Sequence, residues 1–168
     1  MMRYGLSQVS FREIKTHEFC LLKAIAHEAY RHNYADFLTE ADQVYLLEKM
    51  YDPDRLQKLA IQGQTTRLIS VDHQPQGYIT VQDLSHNLTY IDKLYFRPEA
   101  QGKGLGSLLL DRFLEDAWVR GIRKAFLYVN QSNSAKDFYL KYGFRIEQAI
   151  VRNLGKLRLP DYRMTLVL

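Results

Sequence analysis

Tyr95-Phe96-Arg97-Pro98-Glu99-Ala100-Gln101-Gly102-Lys103-Gly104-Leu105-Gly106-Ser107 is the segment from which the rest of this chain can be read. Ahead of it, residues 88–96 form an apolar, strand-like run that Pro98 turns aside. Behind it, residues 108–118 carry apolar positions at helical spacing. Strand, glycine-rich loop and helix start, in that order, make a cradle for phosphate. The first backbone N–H groups of the helix have no intrahelical partner and sit at the positive end of its dipole. The spacing rules out two such cradles. A dinucleotide fingerprint needs G-x-G-x-x-G, and Ser107 stands where the third glycine belongs. A P-loop, G-x-x-x-x-G-K-[ST], is absent. What is present is Q-x-x-G-x-G, formed by Gln101, Gly104 and Gly106. Glycines there let the backbone adopt positive φ and approach a diphosphate, and Lys103 adds charge at the rim. A glycine-rich turn ahead of an ordinary helix would read the same way.

The chain as a whole narrows the options. At 168 residues it is long enough for one domain with a substantial core. No apolar run reaches the roughly 20 residues needed to cross a bilayer, and residues 1–5 lack the apolar centre of a signal peptide, so no membrane partner is expected and the cytoplasm is the expected location. The one cysteine, Cys20, excludes an internal disulfide and a cysteine-built metal site. The five histidines are scattered without paired spacing, so no metal is expected. The net charge of +4 is modest and spread out, so no nucleic-acid partner is expected.

The local pattern predicts strands over residues 9–14, two more between 66 and 84 joined by a connection at 72–77, and another over 88–96. Helices are expected over 17–33 behind Thr16, from Thr39 to about 50, and from Asp52-Pro53 to about 62. After the glycine loop comes a helix with Leu108, Leu109, Phe113, Leu114 and Trp118 on its core face, ended by Gly121. A strand over 124–129, a helix capped by Ser132 or Asn133 and stopped at Tyr142-Gly143, and strands over 144–154 and 161–168 complete the chain. The expected fold is α/β with a mixed sheet and helices on its faces.

The second half adds an independent mark: Phe126-Leu127-Tyr128-Val129-Asn130, then Asn133-x-Ala135-x-x-Phe138-Tyr139-x-x-x-Gly143-Phe144. With the glycine loop before it, this order resembles the GNAT (Gcn5-related) N-acetyltransferase superfamily over residues 70–168. Leu38-Thr39-Glu40, Met50-Tyr51-Asp52-Pro53, Leu154-Gly155 and Asp161-Tyr162-x-Met164 are also similar to the bacterial polyamine (PaiA-like) acetyltransferases. The resemblance implies a single GNAT domain over 1–168. Its mostly antiparallel sheet of six to seven strands would splay between the strand ending at Phe96 and the strand over 124–129. The acetyl-CoA-binding core would span 88–144, the acceptor side 17–62, and a homodimer would be plausible.

On that template Leu94, Tyr95 and Phe96 would bind the acetyl oxygen and pantetheine through backbone groups. Gln101, Gly102, Lys103, Gly104, Leu105, Gly106 and Ser107 would hold the pyrophosphate. Asn133 would reach the pantetheine arm, with Lys136 also on the cofactor side. The implied reaction is attack of a primary amine, from a small molecule such as a polyamine or from a protein or peptide, on the thioester of acetyl-CoA. Tyr139 would protonate the leaving thiolate, and Asp92 is the carboxylate offered as base. Tyr90 and Leu94 share the Asp92 face by period-two alternation. A non-catalytic acyl-CoA-binding domain would keep the same cleft. Tyr30, Tyr34, Tyr45 and Tyr51 alternate with Asp36, Glu40, Asp42 and Glu48 in the N-terminal helices. That mixture suits a cationic amine through cation–π and charge contacts, and equally suits a solvated helix face.

Overall fold

The computed structural model describes residues 9–168; residues 1–5, which bear on export, lie outside them. Seven strands form one sheet in the order β1-β2-β3-β4-β5-β7-β6. The strands are β1 (Val9–Glu13), β2 (Gln64–Val71), β3 (Gln74–Ser85), β4 (Leu88–Phe96), β5 (Lys124–Asn130), β6 (Arg145–Leu154) and β7 (Leu157–Val167). All neighbours are antiparallel except β4 and β5. A parallel pair needs a crossover, and the helix after the glycine loop supplies it. The helices are α1 (Phe19–Asn33), α2 (Glu40–Met50), α3 (Pro53–Ile61), α4 (Leu105–Val119) and α5 (Ala135–Tyr142). No helix among the described residues is long and apolar enough to cross a membrane.

The sheet separates two cores. On one face Ile79, Val81, Ile91 and Leu127 pack against Leu109, Leu110 and Phe113 of α4. On the other, Leu68 and Tyr78 pack against Leu22, Ile25 and Tyr30 of α1 and Leu46 and Leu47 of α2. The two cores show why each strand alternates: Tyr78 belongs to one and Ile79 to the other.

Local signals set most boundaries. Thr39 Oγ1 accepts from the Asp42 amide at 3.1 Å and starts α2. Asp52 Oδ1 accepts from the Arg55 amide at 2.9 Å, with Pro53 at the first helical position of α3. Gly143, at φ 118°, ends α5. Four expectations shift. Thr16–Glu18 form a 3₁₀ turn, so α1 begins at Phe19 rather than His17. The β2–β3 connection is only Asp72-His73, both at positive φ, a two-residue hairpin turn that returns Gln74–Gly77 to the strand. The β6–β7 turn is equally tight, at Gly155-Lys156, so β7 starts at Leu157 rather than Asp161. Trp118 is 48% exposed, because Leu105, Leu109, Leu110, Phe113, Leu114 and Ala117 complete the buried stripe of α4 without it. The Arg123 guanidinium covers the Trp118 ring at 3.7 Å.

Candidate active site

The site begins where the parallel pair fails. β4 and β5 pair from Leu88↔Lys124 to Ile91↔Leu127 and then stop, although both strands continue. The expected splay is therefore present, with a gap between residues 92–96 and 128–130. A β-bulge sits at the same place: Val81 pairs with Ile91 and Thr80 with Lys93, which leaves Asp92 as the extra residue. The bulge resets the alternation. Leu94 packs with the α4 core and Tyr95 with the α1 core. Tyr90 and Asp92 still meet, at 3.0 Å from hydroxyl to carboxylate, but Leu94 is turned to the opposite face from the one period-two alternation assigns.

The Arg97 amide donates to the Gln76 carbonyl oxygen on β3 at 2.8 Å. By antiparallel alternation the N–H and C=O of Tyr95 also face β3, while those of Leu94 and Phe96 face the gap. The amide donors available in the gap are thus those of Leu94 and Phe96, and the Tyr95 amide belongs to the β3 ladder.

Two clefts meet at this gap. One is bounded by Leu94, Phe96, Gln101, Gly102, Gly104, Gly106, Ser107, Asn133, Phe138 and Tyr139, with a volume of about 500 Å³. Gly102 and Gly104 have φ of 71° and 82°, and Gly104 is the N-cap of α4. That left-handed backbone turns the loop so that the amides of the first α4 turn open into the cleft. The first ladder bond there is the Leu108 amide to the Gly104 carbonyl oxygen at 3.1 Å, so the amides of Leu105, Gly106 and Ser107 precede the ladder. Gly106 lets Phe138 approach within 3.4 Å of where a Cβ would stand. Gln101 Nε2 donates to the Phe96 carbonyl oxygen at 3.1 Å, tying the loop to the end of β4. Lys103 and Leu105 do not line the cleft with their side chains, Leu105 being buried beneath α4. Lys136 lies outside it, donating to the Gln131 carbonyl oxygen at 3.3 Å. Asn133 is buried and its Oδ1 accepts from the Ala135 amide at 2.8 Å. Asn133 stands one residue ahead of Ser134, which is the N-cap of α5 in place of the expected Ser132 or Asn133; the Asn133 amide nitrogen is left for the cleft.

The second cleft, a chamber of about 120 Å³ on the other side of the gap, shares Leu94, Asn133 and Tyr139 with the first. The Tyr139 ring is wedged between Phe138 and Phe144, with centroids at 5.2 and 5.6 Å. Burial pushes its phenol well above the usual tyrosine range, so it stays protonated. Its hydroxyl bonds to no described residue and is not sealed off from solvent. Tyr30, Tyr34 and Tyr95 form part of the wall, with the Tyr34 and Tyr95 hydroxyls 2.6 Å apart. Tyr51 instead lies in the core, paired with the Tyr78 hydroxyl, and Tyr45 lies outside, 3.2 Å from the Lys156 amide. None of Asp36, Glu40, Asp42 and Glu48 lines the chamber. The solvated-face reading therefore holds for those four carboxylates.

The charges that do line the chamber are Asp92, Lys93, Arg152 and Asp161. Asp92 Oδ2 accepts from the Lys93 ammonium and, at 3.3 Å, from Gln64 Nε2. Burial alone would raise the Asp92 carboxyl, but Lys93, the Tyr90 hydroxyl and Arg152 outweigh it and hold it below the usual carboxylate range. Such a carboxylate contributes stability that is present above its unfolded value of about 3.9 and lost as pH falls through its lower folded value. The melting-temperature gap between the native protein and Asp92→Asn should accordingly narrow below about pH 4. A gap that stays constant from pH 7 to pH 3 would contradict it. Asp161 is 1% exposed, and its carboxylate accepts from Arg152 Nε at 2.5 Å. Arg152 and Asp161 are a diagonal cross-strand pair, since Asp161 stands opposite Ile150 and Arg152 opposite Leu159. The sequence assigns no role to Lys93 or Arg152, and Asp161 enters there only within the Asp161-Tyr162-x-Met164 resemblance. An aspartate among the apolar residues of β7 was the one available signal.

Known proteins share this fold. A family model for the acetyltransferase (GNAT) domain matches residues 21–166. A spermidine N(1)-acetyltransferase of Thermoplasma acidophilum is 24% identical over 145 residues, covering 83% of this chain and 89% of that protein. An uncharacterized N-acetyltransferase of Mycobacterium tuberculosis is 36% identical over 75 residues, 44% of this chain and 48% of that one. Among solved structures, the PaiA N-acetyltransferase of T. acidophilum in complex with coenzyme A has a TM-score of 0.83 at 22% identity, covering 95% of this chain and 99% of that one. A GCN5-related N-acetyltransferase from Rhodopseudomonas palustris gives 0.82 at 21% identity, covering 99% and 100%.

Proposed function

Because the chain belongs to the GNAT acetyltransferase family, we propose that it transfers an acetyl group from acetyl-CoA to a primary amine by direct attack within a ternary complex. The observation that carries this reading is the meeting of two clefts at one splay, with Tyr139 and Leu94 shared by both. One cleft supplies a diphosphate cradle and the other a chamber for the amine. The continuous sheet from β1 to β6 supports a single domain.

The residues divide the chemistry as follows. The amides of Gly104 to Ser107 sit where the pyrophosphate would lie, at the positive end of α4. The amides of Leu94 and Phe96, facing the gap, would carry the negative charge that develops on the carbonyl oxygen as the amine nitrogen bonds to the carbonyl carbon. As the carbon–sulfur bond breaks, the Tyr139 hydroxyl donates a hydrogen bond to the departing sulfur. Its raised pKa makes full transfer to a thiolate near 8.5 uphill at that moment. The proton balance closes when the amide nitrogen sheds its proton and the thiol gains one through Tyr139.

Asp92 is an ionised neighbour of the reacting amine rather than a strong base. Taking a proton from an amine near 10.4 would cross more than about six units, roughly 9 kcal/mol. The reaction thus draws on the neutral fraction of the amine, and kcat/KM at low substrate should rise about tenfold per pH unit below the amine's pKa.

The decisive measurement is free-thiol release from acetyl-CoA across a panel of amines, beside thermal melts with acetyl-CoA. Stabilisation together with amine-dependent thiol release is the expected result. Stabilisation without release for any amine would instead favour an acyl-CoA-binding domain, and no stabilisation would remove the cleft assignment.

A further inference from the structure

Resting on that transfer reading, we propose that the acceptor is a small α-amino carboxylate with an apolar side chain, recognised by the Arg152 guanidinium, and not a polyamine. The groups lining the chamber differ in how much hydrogen-bond capacity they leave unfilled. The second ammonium of a polyamine is held most strongly by a carboxylate with acceptor capacity to spare. Both candidates are already engaged. The Asp161 carboxylate is sealed at 1% exposure and holds Arg152. The two Asp92 oxygens accept from Tyr90, Lys93 and Gln64. Lys93 is itself buried against Asp92.

Arg152 is different. Its Nε is held from behind by Asp161, and its flat face lies 4.5 Å over the Tyr128 ring. The two Nη nitrogens bond to no described residue, and neither is buried away from solvent. A guanidinium fixed on one edge and one face presents its remaining edge as a planar fork, the geometry that matches a carboxylate. Arg152 lines the same chamber as Tyr139 and Leu94. The rest of that wall includes Phe37, Leu38, Met50 and Leu159, which suits an apolar side chain, while the rings of Tyr30, Tyr34 and Tyr95 offer a second cation only cation–π contact and no negative charge.

The test is kcat/KM for matched pairs that differ only by the carboxylate: L-leucine against isoamylamine and L-phenylalanine against phenethylamine, with spermidine alongside. The amino acids should be the better substrates. In the Arg152→Gln/Asp161→Asn double variant, which removes the pair without stranding a buried charge, the amino-acid-to-amine ratio should fall about 10- to 100-fold. The basicity of each amine is common to both enzymes, so the change in ratio reads the guanidinium. Should the double variant not fold, Arg152→Lys keeps the charge without the fork, and its ratio should fall several-fold. Spermidine or the plain amines outrunning the amino acids, or a ratio unmoved by the substitutions, would overturn the proposal and leave the transfer reading standing. No thiol release with any amine, while acetyl-CoA still stabilises the fold, would overturn both.

Discussion

Tyr139→Phe should lower kcat by about 10²- to 10⁴-fold while leaving the affinity for CoA unchanged. The two halves of that expectation rest on separate observations. The ring is held by Phe138 and Phe144, and phenylalanine keeps both contacts, so the fold and the cleft wall should survive. The hydroxyl has no bond to a described residue, so its removal strands no partner. What is lost, on the proposed mechanism, is the donor to the departing sulfur. Burial keeps that donor protonated, so the loss should be similar from pH 6 to pH 9. Turnover with a validated amine within threefold of the native rate would remove Tyr139 from the chemistry. A parallel loss of CoA affinity, read by calorimetry, would make it a wall residue instead.

The second large effect is on stability, and its sign is diagnostic. Gly77 lies inside β3 opposite Phe96, and a Cβ there would stand 2.4 Å from Phe96 Cδ1 and 2.6 Å from the Tyr95 carbonyl oxygen. The Phe96 ring can turn, but the Tyr95 oxygen is backbone of β4, so room can be made only by shifting the strand whose next amides face the gap. Gly77→Ala should cost about 1–3 kcal/mol and lower the melting temperature by about 3–10 °C. CoA affinity should weaken with it. Strand propensity alone predicts the reverse, because alanine ordinarily stabilises a strand relative to glycine by about 0.5–1 kcal/mol. A raised melting temperature would show that the approach of β3 to β4 is not as close as described.

Gly77 also shows how sequence and structure divide. In the sequence it sits beside Asp72-His73-Gln74-Pro75-Gln76 and reads as the end of a turn. In the fold the turn is only Asp72-His73, and Gly77 is required by the neighbouring strand. A local signal says that a glycine is needed; it does not say whether the reason is a dihedral angle or a neighbour. Gly104 and Gly143 are the opposite case. Each stands at a helix end with positive φ, as its sequence position predicts.

The same division runs through the site. The glycine loop, the helix it opens and the Asn133 to Tyr139 segment are contiguous, and their chemistry is local: missing amide partners, a helix dipole, an Asx turn. Sequence alone was enough to determine the order of elements, the glycine loop opening onto a helix and the resemblance that names the donor. The second chamber is assembled from β4, β5, β6, β7, α1, α2 and α5, whose residues are up to about 130 positions apart. Its decisive features depend on register. A single extra residue at Asp92 exchanges the faces taken by Leu94 and Tyr95, and a diagonal pairing across β6 and β7 brings Arg152 onto Asp161. Neither bulge nor register is encoded in the spacing of one strand, because each is set by the partner strand's side chains. Tertiary structure alone therefore decided that the helix carboxylates stay outside the chamber and that Asp92, Lys93, Arg152 and Asp161 are the charges lining it.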